Sequence, residues 1–190
     1  MMEIFLLMGV ALMVILIIVI IYNNIIRRMN AVARAWTDVV TQERQKNNVL
    51  PALEKIASEY KEYETIIITE ITKLRTDLQR LNSGNMDFNA LTDAHNNTTA
   101  LLNGLYAVAE NYPTLKASDL YRSLMAEISE QQQNISAAIC IFNRNVEEFN
   151  NSIEMFPHVL INTLFVKKRK LRTFNDSKAE RAFEYRPDIH

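Results

Sequence analysis

Three histidines, one cysteine and a few close acidic pairs are the side chains of this 190-residue chain with types suited to metal binding or catalysis. His95, His158 and His190 stand far apart, without HxxxH or HExxH spacing. A zinc site would need the fold to gather them, and the plainer reading is solvated histidines in loops and at helix ends. No Glu-x-x-His occurs anywhere, although helical di-metal centres are commonly built on that pair. Cys140 lies one residue past the apolar Ile139 with no nucleophile signature, and reads as a small buried hydrophobe. A single cysteine excludes an internal disulfide and a multi-cysteine zinc site, and it suits a reducing compartment. Asp87/Asp93 and Glu147/Glu148 lack acid–base spacing and read as surface charge. No catalytic, metal or cofactor residue is assigned, and no cofactor is expected.

The most concentrated charge is Lys167, Lys168, Arg169, Lys170 and Arg172, five basic residues in six positions. It suits anionic lipid headgroups, at ~1 kcal/mol per residue near the surface. Phosphate contacts of the same kind serve sequence-blind nucleic-acid binding, but no recognition-helix or RNP motif accompanies the run, so nucleic acid is not expected. The third reading is a solvated tail. Asn143 and Asn150 are seven apart, as are Asn23 and Asn30, a spacing that suits register-fixing asparagines on one helix face. Asn-x-Ser/Thr at Asn96, Asn97, Asn134, Asn150 and Asn175 would need a secretory lumen and an accessible loop, and several fall on helical pattern.

Those side chains are carried by an unusual backbone composition. Three glycines are too few for sandwich turns or a phosphate-cradling loop, which makes all-β, Rossmann and Walker-type architectures poor readings. The charges nearly cancel, 21 basic against 22 acidic, leaving no global pull toward nucleic acid. From Ile4 through Leu12 to Ile21 no residue is charged or strongly polar. As a helix this run is about 27 Å long, close to the hydrocarbon core of a bilayer. Tyr22 supplies an interfacial end. A cleaved signal peptide needs a basic start and a small-residue exit, whereas this chain opens Met1-Met2-Glu3 and leaves through Tyr22-Asn23-Asn24. Glu3 precedes the run and Arg27, Arg28 and Arg34 follow, which predicts the N-terminus outside and the remainder in the cytoplasm.

Beyond the anchor, apolar residues recur at three-and-four spacing. Met29, Val32, Trp36 and Val39 or Val40 form one stretch; Leu50, Leu53, Ala57, Tyr60, Ile67, Ile71, Leu74, Leu78 and Leu81 form a second, read as one face of a helix. The β-branched Thr65–Thr69 segment is outvoted by that frame. Asn82-Ser83-Gly84-Asn85 is a stop signal. A third pattern ends before Pro113. A fourth starts with Ser118 or Asp119 as cap and runs to Phe156, closed by Pro157. Pro51 either opens a return helix or kinks one long helix; the apolar frame keeps phase across it, which favours the kink. With one long kinked helix the last helix points outward and the basic run lies far from the bilayer. With a return helix it would reach lipid.

Tyr22-Asn23, Asn30, Ala35-Trp36, Leu50-Pro51, Tyr112-Pro113, Phe142-Asn143, Phe149-Asn150 and Phe156-Pro157, taken in order, resemble the LemA family of bacterial membrane proteins, from about Tyr22 to Pro157. The resemblance implies an N-terminal transmembrane helix, a cytoplasmic helical bundle and no established biochemical activity. The chain departs from the family pattern at Gln132-Gln133, at Ile139 and at Phe142 and Phe149, where the family favours Glu-Asn, arginine and tyrosines.

The expected architecture is therefore all-α: an anchor over 1–22, an antiparallel bundle of three or four long helices over 23–157, and a basic tail over 158–190. The expected role is a membrane-anchored scaffold or adaptor in a bacterial inner membrane. It would contact lipid through the anchor and an unidentified protein, or itself, through the bundle. The polar interruptions at Thr41–Asn48 and Gln131–Gln133 are the expected docking places. The alternatives are a carboxylate- or metal-dependent membrane enzyme and an accessory factor of membrane protein quality control.

Overall fold

The computed structural model describes residues 1–59 and 61–175, with backbone only for 61–64. Tyr60, His190 and the tail beyond 175 lie outside the described residues, as do the side chains of Lys61, Glu62, Tyr63 and Glu64. The described chain is helical: α1 (Met2–Gln45), a 3-10 turn (Lys46–Asn48), α2 (Leu50–Glu59), α3 (Lys61–Arg80), α4 (Phe88–Asn111), the short α5 (Pro113–Ala117), α6 (Asp119–Glu154), α7 (His158–Ile161) and a π-turn (Asn162–Val166). Among the described residues no strand forms, and one isolated bridge joins Asn82 and Asn85. The all-α expectation holds. Two compact units result, one of residues 1–35 and 140–173, the other of 36–139 and 174 onward.

The larger unit is a bundle whose directions can be read from its contacts. Trp36 donates to the carbonyl of Asn82, Arg44 reaches the carbonyl of Leu81, and Glu54 pairs with Arg75. As the first chain segment advances the second retreats, so α3 runs antiparallel to α1–α2. Asn97 pairs with Asp77 and Arg80 with Asp93, which makes α4 antiparallel to α3. The stop signal works as its residue types require: Asn82 Oδ1 accepts from Gly84 N–H at 2.8 Å, and Asp87 caps α4 by accepting from Ala90 N–H at 3.0 Å. Ser118 caps α6 through Tyr121 N–H at 3.2 Å. The Thr65–Thr69 segment is helical, with the Thr69 hydroxyl donating to the Thr65 carbonyl. Its core holds Leu53, Ile71, Leu78, Leu101, Leu105 and Ile128, each at most 3% exposed.

Two expectations about the first helix need separating. The helical path does continue through Pro51, which occupies the first turn of α2, where a missing N–H costs no hydrogen bond. The irregularity is the 3-10 turn just before it, closed by Val49 N–H to Lys46 O at 3.1 Å. The single helix face expected from Leu50 to Leu81 is instead two antiparallel helices, α2 and α3. Three-and-four spacing reports which face is apolar, not which way the chain runs, and neither Gly nor Pro marks this reversal.

In the smaller unit α1 starts with its apolar side chains from Ile4 to Ile20 facing outward, uncovered by other described residues. Burial begins at Ile21 and continues through Ile25, Val32 and Ala35. Facing them, the second half of α6 buries Phe142, Val146, Phe149 and Ile153. Arg28 pairs with Glu148, and Asn24 shares a cleft with Met155 and Phe156. Moving back along α1 therefore moves forward along α6, and these halves are antiparallel. This corrects the expectation that the last helix carries the basic run away from the anchor.

Candidate functional site

Within the smaller unit, α1 and α6 leave a cleft of about 460 Å³ lined by Asn24, Arg28, Glu148, Asn151, Ser152, Met155, Phe156 and His158. Arg28 from α1 and Arg144 from α6 both contact the Glu148 carboxylate, the latter at 3.2 Å. Glu148 is thus more than the solvated charge expected of it. All three groups are well exposed, so the pairs contribute little to stability, ~0–1 kcal/mol each. Chemically the cleft offers one guanidinium paired with one carboxylate, the short polar side chains of Asn24, Asn151 and Ser152, one imidazole and an apolar rim. That combination suits a polypeptide or headgroup contact.

Past α6 the chain folds back on itself. Lys167 adopts a left-handed backbone conformation, φ 54°, and its N–H bonds the Asn162 carbonyl. The Asn162 side chain holds both the N–H and the carbonyl of Lys168 at 3.0 Å. Asn150 does the same for Leu171: Nδ2 donates to its carbonyl and Oδ1 accepts its N–H, both at 2.9 Å. This amide replaces a strand partner for the returning backbone. The expected role of Asn150 in helix register becomes a latch on the tail. An Asn150→Ala variant should lose both bonds, about 1–1.5 kcal/mol of local stability, so trypsin should cut within Lys167–Arg172 about tenfold faster. Unchanged cleavage kinetics would show the latch to be dispensable.

The other sequence-marked residues separate by burial. Asn143 is half-buried, whereas Asn23 and Asn30 are exposed, which removes the buried-register role proposed for that pair. Tyr112 joins α4 to α5, and Pro113 takes the first position of α5. Phe156 and Pro157 are exposed, beyond the end of α6 at Glu154. Cys140 is exposed as well, because the buried stripe of α6 passes through Ile135, Ala138 and Phe142 rather than Ile139. His95 and His158 are half-buried on α4 and α7, and among the described residues no three His, Cys, Asp or Glu side chains gather as a metal site requires.

In the bundle unit the structure brings together residues that the sequence reading left as surface. Glu43 and Lys46, inside the polar interruption taken for a docking seam, are fully buried. Lys46 Nζ bonds Glu43 Oε2 at 2.7 Å and Thr98 Oγ1 at 3.0 Å, and the Thr98 hydroxyl donates to the Ala94 carbonyl at 2.7 Å. Glu43 Oε1 has no hydrogen-bond partner among the described residues. Burial pushes the Lys46 amine below its ordinary 10.5, against the pull of Glu43. Beside it lies an apolar cavity of about 10 Å³ edged by Leu50, Leu53, Leu101 and Ile128, room for one water at most. Gln131 is likewise buried, bonded to Glu127 at 3.3 Å. Glu43, Lys46 and Gln131 are therefore bundle interior and give a partner nothing to hold, whereas Thr41, Arg44, Gln45, Asn47, Asn48 and Gln133 of the same two interruptions are exposed. The 3-and-4 frame itself carried the missed signal: Glu43 and Lys46 continue it between Val39 and Leu50.

Trp36, from α1, is also fully buried. Its Nε1 donates to the carbonyls of Asn82 and Asn85, at 2.9 and 3.1 Å, and its ring meets Phe88 edge-on at 5.7 Å. Phe174 packs edge-on against the far side of this group through Phe88, at 5.9 Å. One indole thus ties the α3–α4 turn, the start of α4 and the returning tail into the bundle.

Residues 35–188 match the LemA family. The chain belongs to the LemA family. The protein named Protein LemA in Metamycoplasma hominis is 28% identical over 134 residues, which is 70% of this chain and 60% of that protein. The match thus spans about three-fifths of that relative's length. The LemA match opens at Ala35, immediately before Trp36, and takes in the whole bundle together with the returning tail. It extends well past Pro157, where the resemblance seen in the sequence stops.

Proposed function

We propose that this LemA-family chain is a single-pass membrane protein whose helical bundle acts as a scaffold or adaptor, through protein–protein contact or self-assembly rather than catalysis. The observation that carries the reading is α1. Its eighteen-residue apolar stretch is only 6% buried, with the side chains from Ile4 to Ile20 facing outward, and the helix continues unbroken into buried positions from Ile21. So large an uncovered apolar surface is stable in hydrocarbon and not in water. Tyr22 is exposed where the apolar run stops, as an interfacial anchor would be. Glu3 ahead of the run and Arg27, Arg28 and Arg34 behind it support an N-terminus outside and a bundle in the cytoplasm of a bacterial cell.

Exposed Cys140 is the chain's one cysteine and reports orientation directly. A membrane-impermeant maleimide should leave it unmodified in intact spheroplasts and label it after permeabilisation. Labelling of intact spheroplasts would reverse the orientation. For the scaffold role, Ile141 and Tyr106 are large, apolar and exposed beyond the anchor. Photoreactive residues there, irradiated in native membranes, should give a recurring protein adduct or a dimer of this chain. Lipid or solvent adducts alone, at both positions, would overturn the scaffold reading.

A further inference from the structure

Between Phe156 and Phe165 the smaller unit exposes four large apolar side chains on a short excursion: Phe156 and Leu160 flank and enter α7, and Leu164 and Phe165 sit on the π-turn, each more than half exposed. The basic run follows at once. Lys167, Lys168, Arg169, Lys170 and Arg172 are all exposed. Among the described residues only Lys170 of the five is ion-paired, with Glu154. The placement of this excursion matters as much as its composition. Phe156 and His158 line one cleft with Asn24, three residues past the end of the apolar run at Ile21. The latch of Asn150 on Leu171 and the pairing of Lys170 with Glu154 then bring the basic run back along the same end of α6.

We infer that Phe156–Arg172 is an interfacial foot that rests on the anionic surface of the bilayer crossed by α1. The inference rests on the membrane-spanning reading of α1. The chemistry is that of an interfacial amphipathic segment: aromatic and leucine side chains enter the boundary between headgroups and acyl chains, and cations sit among the phosphates. Each basic residue near an anionic surface strengthens the contact by a factor of about five. Because the foot is held within one compact unit with the start of α1, it meets the surface at high effective concentration, and a weak intrinsic affinity suffices. The contact fixes the tilt and rotation of the segment leaving the membrane, which a single helix alone would leave free.

The test uses the full chain carrying Cys140→Ser and one new cysteine, bearing an environment-sensitive fluorophore, at exposed Leu164. It is reconstituted in phosphatidylcholine vesicles with or without phosphatidylglycerol, each doped with headgroup-level spin-labelled lipid. The same fluorophore at Leu12, with a deep acyl quencher, reports the span independently. Quenching at both positions is expected, with quenching at 164 greater in the anionic vesicles. The triple change Lys167→Glu, Lys168→Glu, Arg169→Glu should cut the docked-to-free ratio at 164 by at least roughly a hundredfold. Quenching at Leu12 without quenching at 164 overturns the foot and leaves the anchor standing. No quenching at Leu12 overturns the spanning reading beneath it. Quenching at 164 that ignores both phosphatidylglycerol and the charge reversals overturns the anionic contact.

Discussion

Truncating Trp36 to alanine should lower the unfolding free energy of the bundle by about 3–5 kcal/mol, the range for large buried aromatic truncations. The size follows from what the indole touches. It is fully buried, its N–H serves two carbonyls of the Asn82–Asn85 turn, and its ring supports Phe88 and, through Phe88, Phe174. Alanine leaves a void and takes one of two donors from each carbonyl, leaving only the backbone N–H groups of Asn85 and Asp87, in a turn that must be held for α3 and α4 to pair. Trp36→Phe separates the contributions, since it keeps most of the ring volume and removes only the donor, at a cost of about 1–2 kcal/mol. Urea unfolding of the detergent-solubilised chain, followed by far-ultraviolet circular dichroism, reads both. A midpoint for Trp36→Ala equal to that of the parent would mean that the turn is held without the indole.

How much of this could be read from residue order depended on what each pattern encodes. The anchor is a pure composition signal, and Ile4–Ile21 needs no tertiary information. The turn at Asn82–Asn85, the Ser118 cap and the break before Pro113 were equally visible, because each depends on a side chain acting on its own backbone. The reversal between α2 and α3 was not, because the apolar frame stays in phase through it and no Gly or Pro interrupts it. The place of the basic run was hidden as well, since it depends on the contacts of Arg28 with Glu148 and of Asn150 with Leu171, which no local pattern encodes. The burial of Glu43 and Lys46 was hidden for a different reason. Two charged residues one turn apart usually mark a solvated face, and only the facing Thr98, fifty-two positions away from Lys46, makes burial tolerable. Asn150 is an intermediate case: its place on the helix was evident, but its partner Leu171 lies in a tail with no periodicity to align.

That buried pair supplies the second large effect. Lys46→Met should destabilise the bundle by about 3–5 kcal/mol, because it leaves the Glu43 carboxylate buried with neither of its oxygens paired to a cation. The double change Glu43→Leu with Lys46→Met should be less damaging than Lys46→Met alone, since an apolar pair of similar volume removes both desolvation costs and Thr98 keeps its bond to the Ala94 carbonyl. A pH dependence follows with a definite sign. Burial holds the Lys46 amine below its ordinary 10.5, so in the interval between the lowered value and 10.5 the unfolded chain binds a proton that the folded chain does not. The contribution of this group to stability is therefore present above 10.5 and is lost as pH falls through the lowered value. Other lysines and the tyrosines titrate in the same alkaline range, so the measurement is a difference: unfolding free energy against pH for the parent chain and for Lys46→Met, side by side. The parent should gain stability relative to the variant as pH climbs toward 10.5. Parallel curves would show that the amine is charged and solvated in the folded chain, and a double variant weaker than either single one would show that the pair stabilises the bundle beyond the cost of burying it.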